Sequence, residues 1–346
     1  MAMQAHANRS PAPFATRLCI GGTGQVGRRS LALSVMIQTP APQRPWLTPL
    51  DGALYALVLA LWSTSWIAIH YQLGVVDPIV SVLWRFAIGA AVMWTWALLR
   101  GDSLRFALID HLRFIALGLC LFSTNFVLFY TAGLSIASGL MSVIFSLASV
   151  INLFLGFIVF RQRMEWRVLI GGVVGAAGVG LMFLPGLYNG DTGASAIKGM
   201  VLCFAGTLCF CVGNLVATSI QRRGIGVHAA NAYGMLYALP YLTGLCLWWD
   251  LPFRFDWSWI YVTSMLWTGL VATTVSFVAY ITLLNRIGAA RAAYVTVLSP
   301  VIALLISTWL EDYHWTWLAA IGLMFVMAGN ILVLRGPRSK TTAKQG

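Results

Sequence analysis

The chain has 346 residues, of which 59% are apolar and only 9% are charged, and its mean hydropathy is +0.81. Soluble domains average about 45–50% apolar and about 25% charged residues, so this composition excludes most soluble enzymes, secreted disulfide scaffolds and disordered chains. The formal net charge is +12 at pH 7, from 22 basic and 10 acidic residues. Such an excess fits nucleic-acid binding or the cytoplasmic loops of a membrane protein, and the positions of the charges decide between the two.

Ten apolar runs have the length of a membrane-spanning helix, which is about 20 residues at 1.5 Å per residue. The loops between them are short, so the sequence predicts an all-α membrane protein built as a compact bundle of ten transmembrane helices. An even number of spans places both termini on the same side of the membrane. The approximate limits of the runs are 53–72, 79–99, 112–131, 137–160, 167–184, 199–220, 228–249, 258–281, 288–310 and 315–335.

The basic residues are distributed very unevenly between the two sides of this predicted bundle. If both termini are cytoplasmic, 19 of the 22 basic residues lie on the cytoplasmic side. The outer side receives only Lys198 and Arg254, and Arg85 lies inside the second span. This asymmetry is the signal that orients membrane insertion. We therefore predict an N-in/C-in, multi-pass protein of the inner (plasma) membrane, with the lipid bilayer as a partner and no nucleic acid.

Residues 1–49 and 337–346 lie outside the apolar runs. The first segment is predicted to be a disordered tail, or part of an over-long gene model that truly starts at Met36; the second is predicted to be a cytoplasmic basic tail. Gly22-Thr23-Gly24-Gln25-Val26-Gly27 matches a dinucleotide fingerprint, but no strand–helix unit that could hold such a loop fits before the first span. Five of the six cysteines lie in spans and lack metal spacing. We expect no cofactor and no metal.

The two halves of the chain repeat each other. A shift of 151 residues aligns Leu147–Leu181 with Leu298–Leu332 without a gap, and ten of the 35 positions are identical. The sequence thus predicts two five-helix repeats, 50–185 and 198–336. Because five is odd, the second repeat enters the membrane in the opposite sense, as in many secondary transporters. The identical pairs include Trp166/Trp317, Gly171/Gly322, Ala177/Ala328 and Gly178/Gly329.

Several short motifs resemble a known family. Leu61-Trp62-Ser63-Thr64-Ser65-Trp66 is similar to the first span of the EamA-type transporters of the drug/metabolite transporter superfamily. Val76-Asp77-Pro78 and Trp84-Arg85-Phe86 resemble that family's outer-loop proline and Arg-Phe pair. Leu298-Ser299-Pro300-Val301 followed by Glu311 resembles the pattern that ends each half, although Ser149 replaces the proline in the first half. The resemblance covers about residues 50–336 and implies a ten-helix bundle in a bacterial inner membrane that moves small metabolites, often outward.

Arg85 is the charged residue that lies within a predicted span. A buried charge in a membrane is costly unless it meets an anion, a carbonyl group or water. The fork geometry of a guanidinium suits a carboxylate, as in an amino-acid-like substrate. The alternative is a structural arginine that reaches outward to the membrane surface or holds loops together.

Other polar and aromatic residues in the spans are candidates for lining a substrate cavity, with interhelical hydrogen bonding or an interfacial aromatic belt as the alternatives. Pro300 is predicted to be a hinge, or a static kink, in the ninth span. A stripe of glycines from Gly171 to Gly178 predicts close packing against a helix of this chain or of a second copy, which leaves a homodimer open. The cavity candidates are Trp62, Trp66, Asn125, Tyr130, Asn152, Asn231, Tyr233, Tyr237 and Tyr280.

These observations predict a secondary transporter rather than an enzyme. The expected substrates are small metabolites, amino-acid-like or other small organic solutes, exported by alternating access. One alternative is a passive facilitator or exchanger without proton coupling, because no Asp or Glu lies deep inside a span. Another is a non-transporting membrane scaffold. His70, at the outer end of the first span, is interpreted as an interfacial histidine, with a proton carrier as the alternative.

Overall fold

The computed structural model describes residues 48–101, 104–160, 166–187, 191–287, 289–292 and 294–334. Within these ranges the chain is helical and contains no strand. The predictions for the N-terminal tail up to residue 47, including Met36 and the glycine motif, and for residues 337–346 lie outside the described residues. The helices are α1 Pro49–His70, α2 Pro78–Leu99, α3 Leu108–Ala132, α4 Ser138–Ser146 continued by Ala148–Phe160, α5 Trp166–Leu187, α6 Asp191–Gln221, α7 Val227–Trp248, α8 Trp259–Leu266 continued to Ile287, α9 Tyr294–Leu310 and α10 Trp317–Leu334.

Seven of the described helices are long and apolar enough to cross a membrane, namely α1 to α6 and α10. The other three predicted spans coincide with α7, α8 and α9, and a short helical turn, Ala289–Ala292, precedes α9. The ten-span topology and its orientation therefore stay predictions. The outer end of the bundle is the end at which α1 and α9 finish, and the inner end is the opposite one.

Local signals in the sequence set where several helices begin. Thr48 and Asp51 form a capping box around Pro49, which satisfies the backbone N–H groups of Thr48 and Asp51. Asp77 accepts from the backbone N–H of Ile79 at 2.8 Å, and Pro78 is the first residue of α2. By contrast, α6 begins at Asp191, before the predicted span of 199–220, because polar residues can extend a helix beyond its apolar part.

The repeat extends to the positions and irregularities of the helices. α3 and α8 begin at Leu108 and Trp259, and α5 and α10 begin at Trp166 and Trp317, so both pairs keep the 151-residue shift. α3 contains a π-helical segment at Cys120–Thr124, and α8 contains one at Trp267–Val275, which covers the equivalent positions. Such segments interrupt the regular backbone ladder and are frequent at functional sites.

α5 and α10 pack against each other through the glycine stripe. A Cβ atom added to Gly178 would lie 2.5 Å from the carbonyl oxygen of Gly322, and one added to Gly329 would lie 2.5 Å from that of Gly171. Because position 171 meets 329 while 178 meets 322, the two equivalent helices run antiparallel. The stripe therefore has its partner helix within this chain.

The fourth helix of the first repeat is interrupted close to the position at which its equivalent in the second repeat carries a proline. α4 is interrupted at Leu147, whose equivalent is Leu298, two residues before Pro300 in α9. The hydroxyl groups of Ser146 and Ser149 donate to the carbonyl oxygens of Val143 and Ser146 at 2.7 and 3.1 Å, a local bonding pattern that competes with helix formation. Pro300 is buried within α9, and its function as a hinge stays a prediction.

The outside of the bundle is apolar, with aromatic residues at helix ends. On α6, Val201, Phe204 and Leu208 are 41–56% exposed along one face. Large apolar side chains exposed in this way suit contact with lipid, and tryptophan prefers the membrane–water interface. Seven tryptophans near the outer ends of α7 to α10 are exposed: Trp248, Trp249, Trp257, Trp259, Trp309, Trp315 and Trp317.

Candidate functional site

Arg85 lies in the third turn of α2, about 10 Å from the outer end of that helix. Its residue surface is only 6% exposed. The guanidinium carbon lies 4.3 Å from the centre of the Phe126 ring on α3 and 5.7 Å from that of Phe86. Both distances are within the range of a cation–π interaction, which gains strength in a desolvated setting. The arginine is thus held inside the bundle and does not extend to the surface.

A polar network connects Arg85 with α3, α8 and the turn that follows α1. Its Nη1 donates to the Tyr130 hydroxyl of α3 at 3.4 Å, and that hydroxyl donates to Oε1 of Gln72 at 2.8 Å. The side-chain amide of Gln72 donates to Thr268 Oγ1 of α8 at 3.0 Å. Nearby, Ser81 and Tyr261 share a hydrogen bond of 3.0 Å. The network links the first repeat with α8 of the second.

Two residues of this region carry polar atoms without a hydrogen-bond partner among the described residues. The first is Arg85, through its Nε atom. The second is Asn125, which is fully buried, through both polar atoms of its side chain. Asn125 is adjacent to Phe126, the residue on which the Arg85 guanidinium stacks. A buried polar group without a partner costs about 1–3 kcal/mol. A ligand that supplies hydrogen-bonding groups here would recover part of that cost.

An aromatic cluster extends from Phe126, the ring on which Arg85 stacks, to α1 and α4. The Trp66 ring lies 5.6 Å from Phe129 and 5.4 Å from Phe145, centre to centre. Phe145 in turn lies 4.8 Å from Phe210 on α6. Such edge-to-face contacts pack well and exclude water. Of the residues predicted to line a cavity, Trp66, Asn125 and Tyr130 thus lie in the same region as Arg85.

Three further candidates lie apart from Arg85, in helix contacts of their own. Trp62 and Tyr280 pack against each other at 4.9 Å in a separate small core between α1 and α8. Asn152 on α4 accepts a hydrogen bond of 3.4 Å from Asn214 on α6. Whether these residues contact a substrate stays a prediction, and the contacts themselves are of the interhelical kind.

The last three candidates, Asn231, Tyr233 and Tyr237, belong to the inner end of α7. The Tyr233 hydroxyl donates to the Leu104 carbonyl oxygen at 2.7 Å, and its ring stacks on Phe114 at 5.0 Å. The Tyr237 hydroxyl and Nδ1 of His111 are 2.8 Å apart. Asn231 lies two residues before Tyr233 and is half-buried. Their part in substrate binding remains a prediction.

The structure also places a buried carboxylate, that of Glu311, at the outer end, and Glu311 is not one of the predicted site residues. The Glu311 side chain is 3% exposed, and its Oε1 lies 2.8 Å from Nδ1 of His70. The backbone N–H and the hydroxyl of Ser138 each donate to Oε2 at 2.9 Å, and the Ser307 hydroxyl donates to it as well. Burial by itself would raise the pKa of Glu311, but these donors, His70 first, bring the net shift of the pKa below the usual value.

Two buried aspartates bind arginines at the inner end. Asp51 of α1 lies 2.5 Å from Nε of Arg286 on α8. Asp110 of α3 binds Arg113 at 2.9 Å and Arg223, after α6, at 2.7 Å. Both aspartates are only 5% exposed. Ion pairs therefore connect helices at the inner end, whereas the Glu311 cluster does so at the outer end.

A cavity of about 330 Å³ opens at the outer end. It lies between the start of α2 and the loops that follow α3 and α7, and Arg85 and Asn125 are not among its lining residues. Within the described ranges no three His, Cys, Asp or Glu side chains come together as a metal site would need. The lining residues are Gly74, Val75, Val76, Asp77, Pro78, Leu134, Leu251, Pro252 and Arg254.

Comparison with known proteins settles the family. The model of the EamA-like transporter family matches residues 50–184 and again residues 197–335. The chain belongs to the EamA-like transporter family. Both matches fall on the repeats found in the sequence, so this EamA-like chain is a multi-pass membrane transporter built from two copies of the family unit.

Individual relatives agree with this assignment. The chain is 23% identical over 255 residues to the uncharacterized transporter YoaV of Bacillus subtilis, covering 73% of this chain and 86% of that protein. It is 23% identical over 304 residues to a probable amino-acid metabolite efflux pump of Escherichia coli, covering 86% and 98%. A crystal structure that is 17% identical shares the fold with a TM-score of 0.56 over 82% of this chain and 95% of that one.

Proposed function

We propose that this EamA-like chain is a secondary transporter that exports small metabolites carrying a carboxylate, with amino acids as the first candidates, and that Arg85 binds the carboxylate. One observation carries the proposal: a buried guanidinium with an unpartnered Nε stacks on Phe126, and the adjacent residue on that helix, Asn125, is buried with an unpartnered amide. Arginine is suited to paired hydrogen bonds with a carboxylate. An asparagine amide can both donate to and accept from an amino-acid substrate.

Similar proteins support the same substrate class. Two relatives, from Escherichia coli and Salmonella typhimurium, carry the name probable amino-acid metabolite efflux pump, and the chain covers 98% of each. The chain is 23–24% identical to these two proteins. The Arg85 environment narrows the search to solutes with a negatively charged group.

The arrangement of the repeats supports alternating access as the mechanism. α5 and α10 run antiparallel, and the contact between them is the same when the two repeats are interchanged, as expected of two inverted units. The polar network around Arg85 reaches from α2 and α3 of the first repeat to α8 of the second. A movement of one repeat against the other would therefore change the surroundings of a substrate bound at Arg85, exposing it first to one side of the membrane and then to the other.

The proposal is tested by counterflow in proteoliposomes that contain the purified full-length chain. Vesicles loaded with one unlabelled amino acid are diluted into the same amino acid in labelled form, and a panel is tested together with methyl esters that lack the carboxylate. We expect saturable uptake of carboxylates and much weaker uptake of their esters, relative to protein-free vesicles. Equal uptake of acids and esters, or uptake no greater than in empty vesicles, would contradict the proposal.

The same vesicles distinguish a coupled transporter from a passive facilitator or exchanger. An imposed pH gradient should drive net accumulation only if substrate movement is coupled to protons. A facilitator would equilibrate the substrate at the same final level with and without the gradient. A scaffold would give no saturable uptake under any of these conditions.

A further inference from the structure

The outer end of α4 is capped by side chains from the other repeat. Ala137, the residue before α4, makes no side-chain cap. Instead, the N–H of Ser138 donates to Glu311 at 2.9 Å, and the N–H of Gly139 donates to the Ser307 hydroxyl at 2.8 Å. Glu311 follows α9, so the first free N–H groups of a first-repeat helix are satisfied by the second repeat. An anionic side chain is favoured at this position by the helix dipole.

His70 adds a third helix to this contact and exposes it to water. Its Nδ1 lies 2.8 Å from Glu311, and its side chain is 41% exposed, whereas that of Glu311 is 3% exposed. A proton from the outer solution can therefore reach the histidine while the carboxylate stays covered. The contacts of Glu311 join α1, α4 and α9, and the outer end between these helices is closed as long as they persist.

Among the hydrogen-bond partners of Glu311, His70 is the one that can change charge near neutral pH. Helix α4 contributes no titratable residue from Ser138 to Ser146. Tyr71 follows His70 at the end of α1, and α6 carries the exposed Lys198 at the same end of the bundle. After Glu311 come exposed Asp312, half-buried Tyr313 and exposed His314.

We propose that His70 and Glu311 form a proton-binding site, and that a proton bound there holds the outer end of the transporter closed. The proton makes His70 a cation, so its hydrogen bond to the Glu311 carboxylate becomes an ion pair. Opening the outer end separates α9 from α1 and α4 and breaks this pair. The inference deepens the proposed function, on which it rests, by naming the proton as the ligand that controls release of substrate to the outside.

The direction of the pH effect follows from the chemistry of the pair. When the histidine loses its proton, a hydrogen bond between two charged groups becomes one between a neutral group and a carboxylate, and histidine is the side chain whose charge changes near neutral pH. Charge-assisted hydrogen bonds are roughly twice as strong as neutral ones. The closed form should therefore dominate at pH 6 and be opened more often at pH 8.

Hydrogen exchange of the full-length protein, measured by mass spectrometry in lipid nanodiscs, tests the site without any substrate. The reporters are the amides of Ser138 and Gly139, whose N–H groups donate across the contact. After correction for the intrinsic effect of pH on exchange, we expect their protection to fall about fivefold from pH 6 to pH 8, the size of the difference between charged and neutral hydrogen bonds. In H70Q this pH effect should disappear, and in E311Q protection should be low at both pH values.

Two neighbouring substitutions serve as matched controls. H314Q removes an exposed histidine, and D312N removes an exposed acid beside Glu311; both should keep the wild-type pH effect. The proposal is overturned if protection in the wild type is equal at pH 6 and pH 8, if H70Q keeps the pH effect, or if H314Q abolishes it. Fast exchange throughout α2 and α7 would show that E311Q is unfolded. In that case the presence or absence of the pH effect in H70Q still decides whether the proposal holds. Failure of carboxylate counterflow would defeat the proposed function without altering any of these exchange results.

Discussion

Gly178 of α5 and Gly322 of α10 approach so closely that a Cβ atom on either would lie 2.5 Å from the carbonyl oxygen of the other. The two residues are not sequence equivalents of each other; Gly322 is equivalent to Gly171, and Gly329 to Gly178. The contact between the helices is therefore the same when the two repeats are exchanged. A bundle of this kind depends on small side chains at the crossing, because lipid offers no hydrophobic driving force for helix association.

The first prediction concerns this crossing. Gly178→Ala should separate α5 from α10 and lower the free energy of unfolding by about 1–3 kcal/mol, the usual cost of overpacking. Thermal unfolding in detergent measures the effect. Gly180→Ala is the matched control, because nothing lies within 4 Å of a Cβ atom at that position of the same helix. Equal stability of the two variants would show that the close approach of α5 and α10 at Gly178 does not contribute to the free energy of unfolding.

The second prediction concerns Asp110, which binds Arg113 and Arg223 at the inner end. Asp110→Asn leaves the two arginines without their carboxylate, and since these side chains are 31% and 43% exposed, solvent reduces the loss. We expect a fall of about 1–2 kcal/mol in the free energy of unfolding, in line with the loss of a charged hydrogen-bond acceptor. Exposed Asp250→Asn is the control in the same thermal measurement. Stability unchanged in Asp110→Asn would mean that the arginines bind other groups equally well.

The third prediction separates the Tyr130 hydroxyl from its ring. Tyr130→Phe keeps the buried ring but removes the group that accepts from Arg85 and donates to Gln72. Freed from this contact, the guanidinium should change position, and substrate affinity in counterflow should fall. The free energy of unfolding should also fall, by about 1–3 kcal/mol, because the buried Oε1 of Gln72 loses its donor. The exposed Tyr71→Phe is a suitable control. Unchanged affinity in Tyr130→Phe would remove the tyrosine from the mechanism.

The fourth prediction is a pH dependence of stability at Glu311. Because the net shift of its pKa is downward, its carboxylate stabilises the fold at pH values above the ordinary carboxyl pKa, and this contribution is lost as the pH falls through the lowered pKa. Glu311→Gln should therefore lower the apparent unfolding temperature by several degrees at pH 7 and have a smaller effect at pH 3. Asp312→Asn, measured in parallel, corrects for the other acids. A difference between wild type and Glu311→Gln that is constant with pH would exclude this contribution.

Much of the architecture follows from patterns that the sequence carries directly. The length of the apolar runs located the helices, because the thickness of the hydrocarbon layer fixes how long a spanning helix must be. The 151-residue repeat predicted which helices are equivalent. Arg85 stood out because a charge in an apolar run has few explanations. The π-helical segments of α3 and α8 and the break of α4 at Leu147 were not predicted, since they lie inside uninterrupted apolar runs that predict a regular helix.

The candidate site was less predictable, for a reason that its residues make clear. Asparagine and tyrosine in a span fit a cavity and a helix contact equally well, and only the fold separates Asn125, which has unpartnered polar atoms, from Asn152, which bonds to Asn214. Glu311 lies just beyond an apolar run and gives the signal of an ordinary loop acid. Its burial depends on residues far away in the sequence, His70 and Ser138, which no local pattern connects to it.

The binding of a carboxylate by Arg85 is tested most directly by equilibrium binding of a labelled amino acid to the purified protein. We expect Arg85→Ala to weaken binding about 10- to 100-fold, the loss of charged hydrogen bonds, and Arg85→Lys to restore only part of it. Arg100→Ala, which removes an exposed arginine at the other end of α2, should bind as the wild type does. The methyl ester should bind equally weakly to the wild type and to Arg85→Ala. Wild-type affinity for the acid in Arg85→Ala would contradict the assignment.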